Sequence, residues 1–261
     1  MAPKHKPQAR ADLRALLATD DALASDKTLI VRVNALDTPH FVADIDAVPR
    51  NGVSFLNLPK PESADDVRTA DALAAAERAN GVTAPIGLLL NVETPRALRL
   101  AAEMAAAHPR VAGLQLGLGD LFEPLGIARR ETFAIQEAMF SLRMAAGEAG
   151  IFAYDTTLDN IKNADGFRTE AQMARAFGFI GKSCIHPSQI AIANEVFRPS
   201  DEDIAHAVRV VVAARDADAK GVGRLCRRRP DDRPALRRAR ACWSRMRRGL
   251  LNDEQRGSIE I

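Results

Sequence analysis

Apolar residues recur along this chain in six short runs, each about as long as a single strand. Continuous apolar runs of this length are typical of strands buried on both faces of a sheet. The intervening segments carry alanine, leucine and charged residues at helical spacing, which predicts helices. The predicted strands are 28–34, 53–59, 85–92, 111–117, 151–155 and 179–185. The clearest predicted helices are Ala64–Arg78, Pro95–Ala107, Thr132–Glu148 and Glu170–Phe177, and the chain opens on a helix-like segment, Lys6–Leu17. Their strict alternation predicts an α/β fold with a parallel sheet.

Two α/β architectures are compatible with six parallel strands. An open doubly wound sheet accommodates six strands directly. A TIM-type (β/α)8 barrel needs eight strands and about 250 residues, and this chain of 261 residues is 47% hydrophobic, enough for one large core. We favour a TIM-type barrel that lacks two strands, because polar residues follow consecutive strands as they do at a barrel mouth.

Basic residues are distributed unevenly along the chain. Of the 36 Lys and Arg and the 34 Asp and Glu, 12 basic and 5 acidic residues lie in 224–261, and those 12 are all arginine. This change predicts an incomplete barrel domain at 1–223 and an unrelated arginine-rich tail at 224–261. Arginine clusters also bind nucleic acids, but the tail has one aromatic residue and no repeated stacking residues. We therefore predict no nucleic-acid partner.

The cysteines and the longest apolar segments indicate the compartment. Cys184, Cys226 and Cys242 show neither the density nor the short paired spacing of a disulfide framework, which favours a reducing compartment. No segment approaches the roughly 20 apolar residues that span a bilayer, and the basic start leads into no apolar stretch. We predict a soluble cytoplasmic protein without a membrane partner.

Polar residues cluster where the predicted strands end. In a parallel barrel these positions converge at one mouth, where active sites lie. The residues are Arg32, Asn34, Lys60, Glu62, Glu93, Asp120, Asp155, Lys182 and His186. The set therefore predicts a polar site at the carboxyl ends of the strands.

Glu93 and Asp120 follow neighbouring strands and form the candidate metal site. Magnesium prefers octahedral oxygen ligation, keeps several waters and is commonly held by one or two carboxylates. No set of cysteines and histidines has the spacing of a zinc site. Two structural alternatives remain open: Asp120 as a helix N-cap, and Glu93 as an acidic residue favouring the first turn of a helix at Pro95.

Arg32 is the candidate ligand for a substrate carboxylate, because a planar guanidinium makes two-pronged contacts that lysine does not. Its alternative is a solvated residue at a strand edge. Lys60 and Lys182 are weaker candidates for binding carboxylate or phosphate groups. His186 precedes a short predicted helix, and we expect it to cap that helix rather than transfer protons. The glycines of QLGLGDL lack the dinucleotide fingerprint, so NAD binding is not predicted.

Five segments together resemble the citrate lyase beta subunit family, which is grouped with the HpcH/HpaI aldolases. They read VRVNALDTPHF, LNLPKPESADDV, LLNVETPRAL, GLQLGLGDLFEPLG and FGFIGKSCIHPSQIAIANEVFRPSDEDI, and the resemblance covers roughly residues 2–223. It implies an eight-stranded barrel, Mg²⁺ held by Glu93 and Asp120, and a substrate carboxylate bound by Arg32. It also implies cleavage of a citryl-, malyl- or citramalyl-type thioester, on coenzyme A or an acyl carrier protein, to an acetyl thioester and a 2-oxo acid.

We accordingly predict a magnesium-dependent carbon–carbon lyase in which Arg32, Glu93 and Asp120 are catalytic. Arg32, Glu93 and Lys60 are predicted to bind substrate, and Glu93 and Asp120 to bind metal. The alternatives are a noncatalytic remnant of the family and a metal-dependent aldolase of free hydroxy-oxo acids. The resemblance implies a homo-oligomer, specifically a trimer.

The two ends of the chain depart from the family pattern. Family members begin with a strand, a helix and a second strand before the sequence that matches APKHKPQAR, so we expect the first two barrel strands to be absent. Their carboxyl ends carry a lid with a catalytic aspartate, where this chain has its arginine-rich tail. We expect a shifted reading frame after Gly223, and we assign the lid role to neither Asp231 nor Asp232.

Overall fold

The computed structural model describes residues 3–24, 27–199, 205 and 209. Its centre is one sheet of six parallel strands. The strands are β1 Leu29–Arg32, β2 Val53–Pro59, β3 Gly87–Val92, β4 Val111–Leu116, β5 Phe152–Asp155 and β6 Gly181–Lys182. All six predicted strands are present, and the predicted α/β class is confirmed.

Each strand pairs with the strand that follows it in sequence, giving the order β1-β2-β3-β4-β5-β6. A doubly wound sheet reverses its order at a switch point, so the doubly wound alternative is wrong. Right-handed crossovers between sequential parallel strands carry the connecting helices to the same face of the sheet. The opposite face is the one that becomes the interior when such a sheet curls.

The two faces of the sheet differ in chemistry because side chains alternate along each strand. The helix-covered face is apolar and carries side chains at most 4% exposed: Leu56, Leu58, Leu88, Leu90, Val92, Leu114, Leu116 and Ala153. The inner face carries amides and aromatic rings, among them Asn57, Asn91, Gln115 and Tyr154. The sheet therefore has one hydrophobic core layer and one layer in which polar groups meet.

Glycine faces an aromatic ring at neighbouring positions of the inner face. Gly87 pairs with Phe55, and a Cβ on Gly87 would lie 2.6 Å from that ring. Gly113 stands in the same relation to Phe152 and would overlap its ring. Small residues beside large ones let neighbouring strands share one layer without overpacking.

The helices fill the connections between strands. They are α1 Lys6–Leu17, α2 Asp20–Leu23, α3 Phe41–Ala47, α4 Ala64–Val67, α5 Ala70–Ala79, α6 Pro95–Arg99, α7 Ala101–Ala106, α8 Leu118–Phe122, α9 Thr132–Glu148, α10 Ala164–Ala176 and α11 Pro187–Phe197. The predicted α1 and α9 are confirmed to the residue. The predicted helices 64–78 and 95–107 are each split in two. The last predicted helix begins earlier, because the Asn163 side chain accepts from the Gly166 N–H at 2.9 Å and caps α10.

Two compact units divide the chain, residues 1–197 and 198–261. The predicted boundary after residue 223 and the arginine-rich tail lie outside the described residues. None of the helices that the structure describes is both long enough and apolar enough to cross a bilayer.

Candidate active site

Four predicted site residues meet at the carboxyl ends of neighbouring strands. Arg32 ends β1, Lys60 follows β2, Glu93 follows β3, and Asp120 lies in α8 after β4. Arg32 Nη2 lies 3.4 Å from Glu93 Oε1, and Lys60 Nζ lies 2.9 Å from Asp120 Oδ1. Sequential parallel strands bring their ends to one edge, which is why residues far apart in sequence form one cluster.

Glu93 is the buried member of the cluster, with 3% of its surface exposed. Its Oε1 accepts from Asn91 Nδ2 at 3.2 Å and from Arg32. Its Oε2 is also buried, and no donor among the described residues contacts it. Burial raises the pKa of Glu93, and the Asp120 charge adds to this increase, while Arg32 and Lys60 oppose it. This carboxylate therefore has one oxygen held by hydrogen bonds and one buried oxygen without a donor among the described residues.

Gly117, the residue before α8, makes room for Glu93. A Cβ at this position would overlap Glu93 Cγ and would lie 3.2 Å from Oε1. The Gly117 backbone N–H donates to Val92 O at 2.9 Å, which ties the two strand ends together. The glycine is therefore required for the observed position of the carboxylate.

Lys60 has an uncommon backbone conformation, with φ at 50°. A non-glycine residue at positive φ costs free energy and is frequent at functional sites. The conformation directs the ammonium group across the mouth to Asp120, and this hydrogen bond raises the Lys60 pKa despite partial desolvation. About half of each of these two side chains is exposed, so the pair is accessible to a ligand.

The structural alternatives for the two carboxylates are wrong. Thr94 caps α6, since its hydroxyl accepts from the Ala97 N–H at 3.1 Å, and Glu93 lies outside that helix. The N-cap position of α8 is Gly117, with Asp120 two residues inside the helix. Neither carboxylate is therefore used as a helix cap.

Lys182 does not belong to the cluster, contrary to the expectation that it would meet a ligand there. Its side chain is fully buried, and Nζ contacts Asp155 Oδ2 and Glu170 Oε2, each at 2.8 Å. The Phe167 ring centroid lies 5.6 Å from the same nitrogen. Asn34 also lies outside the cluster, because its backbone N–H and its side-chain Nδ2 both donate to Asp44 Oδ2.

Four polar residues of the inner face, which the sequence analysis did not identify, are linked to Glu93 by hydrogen bonds. Hydrogen bonds connect them from β6 to β3: Ser183, Gln115, Asn57 and Asn91. A sequence signal exists, because three of them interrupt apolar strand runs at positions of the same parity as the inner face. Their mutual contacts depend on strand register, which the sequence does not reveal.

The donor set suits a hard divalent cation. No group of three or more His, Cys, Asp or Glu side chains that could enclose a metal ion occurs within the described ranges. Magnesium needs no such group, because it retains waters and often takes only one or two protein carboxylates. The buried Oε2 of Glu93, which has no donor among the described residues, and the exposed carboxylate of Asp120 are two such ligands for magnesium.

Comparison with known proteins identifies relatives over most of the chain. The family model HpcH/HpaI aldolase/citrate lyase matches residues 1–187. The citrate lyase subunit beta of Haemophilus influenzae is 34% identical over 257 residues, which cover 97% of this chain and 88% of that protein. The L-malyl-CoA/beta-methylmalyl-CoA lyase of Cereibacter sphaeroides is 33% identical, with 85% of this chain and 76% of that protein covered.

A solved structure of similar fold carries ligands. The CitE protein of Mycobacterium tuberculosis, in complex with magnesium, acetoacetate and coenzyme A, superposes with a TM-score of 0.64 at 31% identity. The match covers 94% of this chain and 85% of that chain. The match to the family model and the two curated relatives agree with the resemblance read from the motifs, and this chain belongs to the HpcH/HpaI aldolase/citrate lyase family.

Proposed function

We propose that this protein is a magnesium-dependent carbon–carbon lyase that cleaves a 3-hydroxyacyl thioester of the citryl, malyl or citramalyl type. The products would be an acetyl thioester and a 2-oxo acid. The single observation that carries the proposal is the buried Oε2 of Glu93, which has no donor among the described residues, while Arg32 contacts Oε1 and the charge of Asp120 raises the Glu93 pKa. The names of the relatives, which are citrate and malyl-CoA lyases, support the reaction class.

Glu93 and Asp120 would hold the Mg²⁺ ion. The geometry of the site supports a metal ion here, because a buried carboxylate oxygen without a hydrogen-bond donor is costly unless a cation binds it. When bound, Mg²⁺ would supply Lewis acidity to the oxygen of the developing carbonyl group. The Mycobacterium tuberculosis relative, whose structure contains magnesium, supports the choice of metal.

Arg32 would bind the carboxylate of the 2-oxo acid portion. Its side chain is 57% exposed, and its long contact of 3.4 Å with Glu93 Oε1 leaves guanidinium N–H groups for a ligand. Two parallel hydrogen bonds from a guanidinium fix the plane of a carboxylate. Arg32 would thereby orient the bond to be cleaved relative to Glu93.

Lys60 would bind a second anionic group of the substrate. Its ammonium group already balances Asp120, and a substrate anion would find the same positive charge at the open side of the mouth. The raised pKa keeps Lys60 charged throughout the physiological range. Lys60 is therefore a binding group rather than a proton donor in this proposal.

For the architecture, we propose that the six strands form part of a (β/α)8 barrel. Sequential parallel pairing and a polar inner face support this proposal. The two further strands would pair with the outer edges of β1 and β6, which have no partner strand among the described residues. Unpaired edges of this kind promote aggregation unless they are covered.

We also propose a homo-oligomer in which a second copy of the chain covers one face of α9. Three large apolar side chains on that face are more than half exposed: Phe133, Phe140 and Met144. Both charge signs surround them, from Arg99, Glu137, Arg143 and Glu148. A copy of the same surface offers complementary charges, so self-association suits this face. Sedimentation should give a monomer for Phe140→Glu and an oligomer for the unmodified chain. Pairing of the same face on two copies gives a dimer, so the trimer remains a prediction from the family resemblance alone.

The other partners follow from the reaction. The proposed substrate is a thioester of coenzyme A or of an acyl carrier, and coenzyme A in the Mycobacterium tuberculosis structure favours the former. A cytoplasmic location and the absence of nucleic-acid and membrane partners remain predictions from the sequence.

Cleavage of citryl-, malyl- and citramalyl-coenzyme A, with and without Mg²⁺, tests the proposed function. We expect turnover of at least one thioester, lost on adding EDTA and reduced by about 10³-fold in Glu93→Ala and Asp120→Ala. Folding of each variant would be checked by circular dichroism. An exposed carboxylate on α7, Glu103, lies outside both the site and the proposed oligomer face and provides the matched control Glu103→Ala.

Other outcomes discriminate the alternative functions. A folded chain that binds Mg²⁺ but turns over none of the thioesters would support a noncatalytic remnant. Turnover of free hydroxy-oxo acids without a coenzyme A requirement would support an aldolase. Unchanged turnover in both carboxylate variants would contradict the assignment of the site.

A further inference from the structure

A continuous chain of side-chain hydrogen bonds runs across the inner face of the sheet, from Ser183, the residue after β6, to Glu93 after β3. Gln115 Nε2 donates to Ser183 Oγ at 2.8 Å, and Asn57 Nδ2 donates to Gln115 Oε1 at 2.7 Å. Asn57 Nδ2 also donates to Asn91 Oδ1 at 2.9 Å, and Asn91 Nδ2 donates to Glu93 Oε1. We call these four residues, Ser183, Gln115, Asn57 and Asn91, the amide ladder.

The direction of the ladder is fixed by a backbone carbonyl at its far end. Ser183 Oγ lies 3.1 Å from Asp155 O, which can only accept, so the Ser183 hydroxyl must donate to it. Ser183 Oγ is then the acceptor for Gln115, whose carbonyl oxygen consequently faces Asn57. The same logic passes through Asn57 to the next strand.

This orientation of the side-chain amides costs free energy at Asn57, where it leaves one buried atom without a hydrogen bond. Both of its contacts use Nδ2, and its buried Oδ1 has no hydrogen-bond partner among the described residues. A buried amide oxygen without a donor costs about 1–3 kcal/mol. Reversing the ladder would satisfy that oxygen but would turn Asn91 Oδ1 toward the Glu93 carboxylate, and two acceptors would then face each other.

We propose that Ser183, Gln115 and Asn57 are positioning residues of the metal site, which act through Asn91 to hold an N–H donor on Glu93 Oε1 and leave Oε2 free for the cation. The inference rests on the proposed function only in taking Glu93 as a metal ligand. Asn91 is 2% exposed and Asn57 6% exposed, so water does not replace the contact between them. Outer hydrogen bonds of this kind orient metal ligands and set metal affinity.

The most specific test changes Ser183, which is four hydrogen bonds away from Glu93. Calorimetric Mg²⁺ titration should give a Kd roughly 10-fold weaker for Ser183→Ala, because without its fixed end the ladder can reverse. Ser183→Thr keeps a hydroxyl and should bind Mg²⁺ within about twofold of the unmodified chain. Asn51 bonds Gly81 O at the opposite end of the sheet, so Asn51→Ala is the matched control and should leave Mg²⁺ affinity unchanged.

A second readout requires neither metal nor turnover. Hydrogen exchange of the Asn57 and Asn91 side-chain amides, followed by NMR in metal-free protein, should be slow and should accelerate at least about 10-fold in Ser183→Ala. An unmodified chain that does not bind Mg²⁺ would contradict the proposed function. The amide exchange rates would then still show whether Ser183 fixes the orientation of Asn57 and Asn91. Equal Mg²⁺ affinity or equal amide exchange in Ser183→Ala and the unmodified chain would overturn the positioning role.

Discussion

Two buried carboxylates lie at strand ends of this sheet, and their surroundings are opposite. Asp155, 2% exposed, contacts Lys182 Nζ at 2.8 Å, and the same ammonium group also contacts Glu170. Glu93, 3% exposed, has one oxygen bound by Asn91 and Arg32 and one oxygen with no donor among the described residues. The first carboxylate is paired with a buried cation, whereas the second has an oxygen that no donor among the described residues contacts, and we propose that a metal ion binds it.

The difference shows how burial alone fails to identify a functional carboxylate. Burial of a charge is costly in both places, and only the partners distinguish a structural ion pair from a ligand site. Side-chain parity explains the division. Asp155 follows the inner-facing Tyr154 and points to the helix-covered face, whereas Glu93 shares the inner face with Asn91. Three variants test this contrast.

The largest expected effect is a loss of stability when Lys182, the cation paired with Asp155, is removed. Lys182→Met should lower the free energy of unfolding by about 3–5 kcal/mol, because it leaves two carboxylates near each other without their shared cation. Urea unfolding monitored by circular dichroism would measure it. The exposed Lys162 provides the control Lys162→Met, expected within about 0.5 kcal/mol, and a comparable small loss in Lys182→Met would contradict the structural role.

A smaller effect is expected from crowding Glu93. Gly117→Ala would push the carboxylate away from its position, since the new Cβ overlaps Glu93 Cγ. Thioester turnover should fall by about 100-fold, the usual cost of a displacement near 1 Å at a reacting centre. Gly119, in the helix that follows Gly117, has open space around the position of a Cβ, so Gly119→Ala should keep full turnover. Equal activity in the two variants would show that the position of Glu93 is not limiting.

The smallest effect concerns stability against pH without metal. The pKa of Glu93 is raised by burial, so the native state binds more protons than the unfolded state between the ordinary and the raised pKa. The contribution of Glu93 to stability is therefore present below its ordinary pKa and is lost as pH rises through the raised pKa. At neutral pH, Glu93→Gln should be more stable than the unmodified chain by on the order of 1 kcal/mol. Thermal unfolding should show this difference disappear below about pH 4, and a less stable variant at neutral pH would contradict the account.

The sequence predicted the strands well because each is a continuous apolar run between helices. It also predicted Arg32, Lys60, Glu93 and Asp120 as one cluster, since residues after consecutive parallel strands must meet at one edge. Predicted helices were less accurate where a single turn breaks them, as between Val67 and Ala70. Such a break depends on packing against the sheet, which local propensity does not describe.

The remaining features depend on relations between distant strands. The sequence predicts ligand binding for Lys182 as for Lys60, since both lysines lie near the end of an apolar run. The parity of Lys182 along β6 directs its side chain to Asp155 instead. The contacts of the amide ladder require the register of four strands to be known. The lack of a donor for Glu93 Oε2 among the described residues likewise depends on the folded surroundings, so the sequence does not predict it.

The most direct test of the central claim, that Glu93 is left open for a metal ion, is a calorimetric Mg²⁺ titration of the unmodified chain and of Glu93→Gln. Glutamine keeps the shape and the acceptor for Asn91 but removes the charge. The account predicts one Mg²⁺ site in the unmodified chain and an affinity at least about 100-fold weaker in the variant. Equal Mg²⁺ affinity in the two proteins would contradict it.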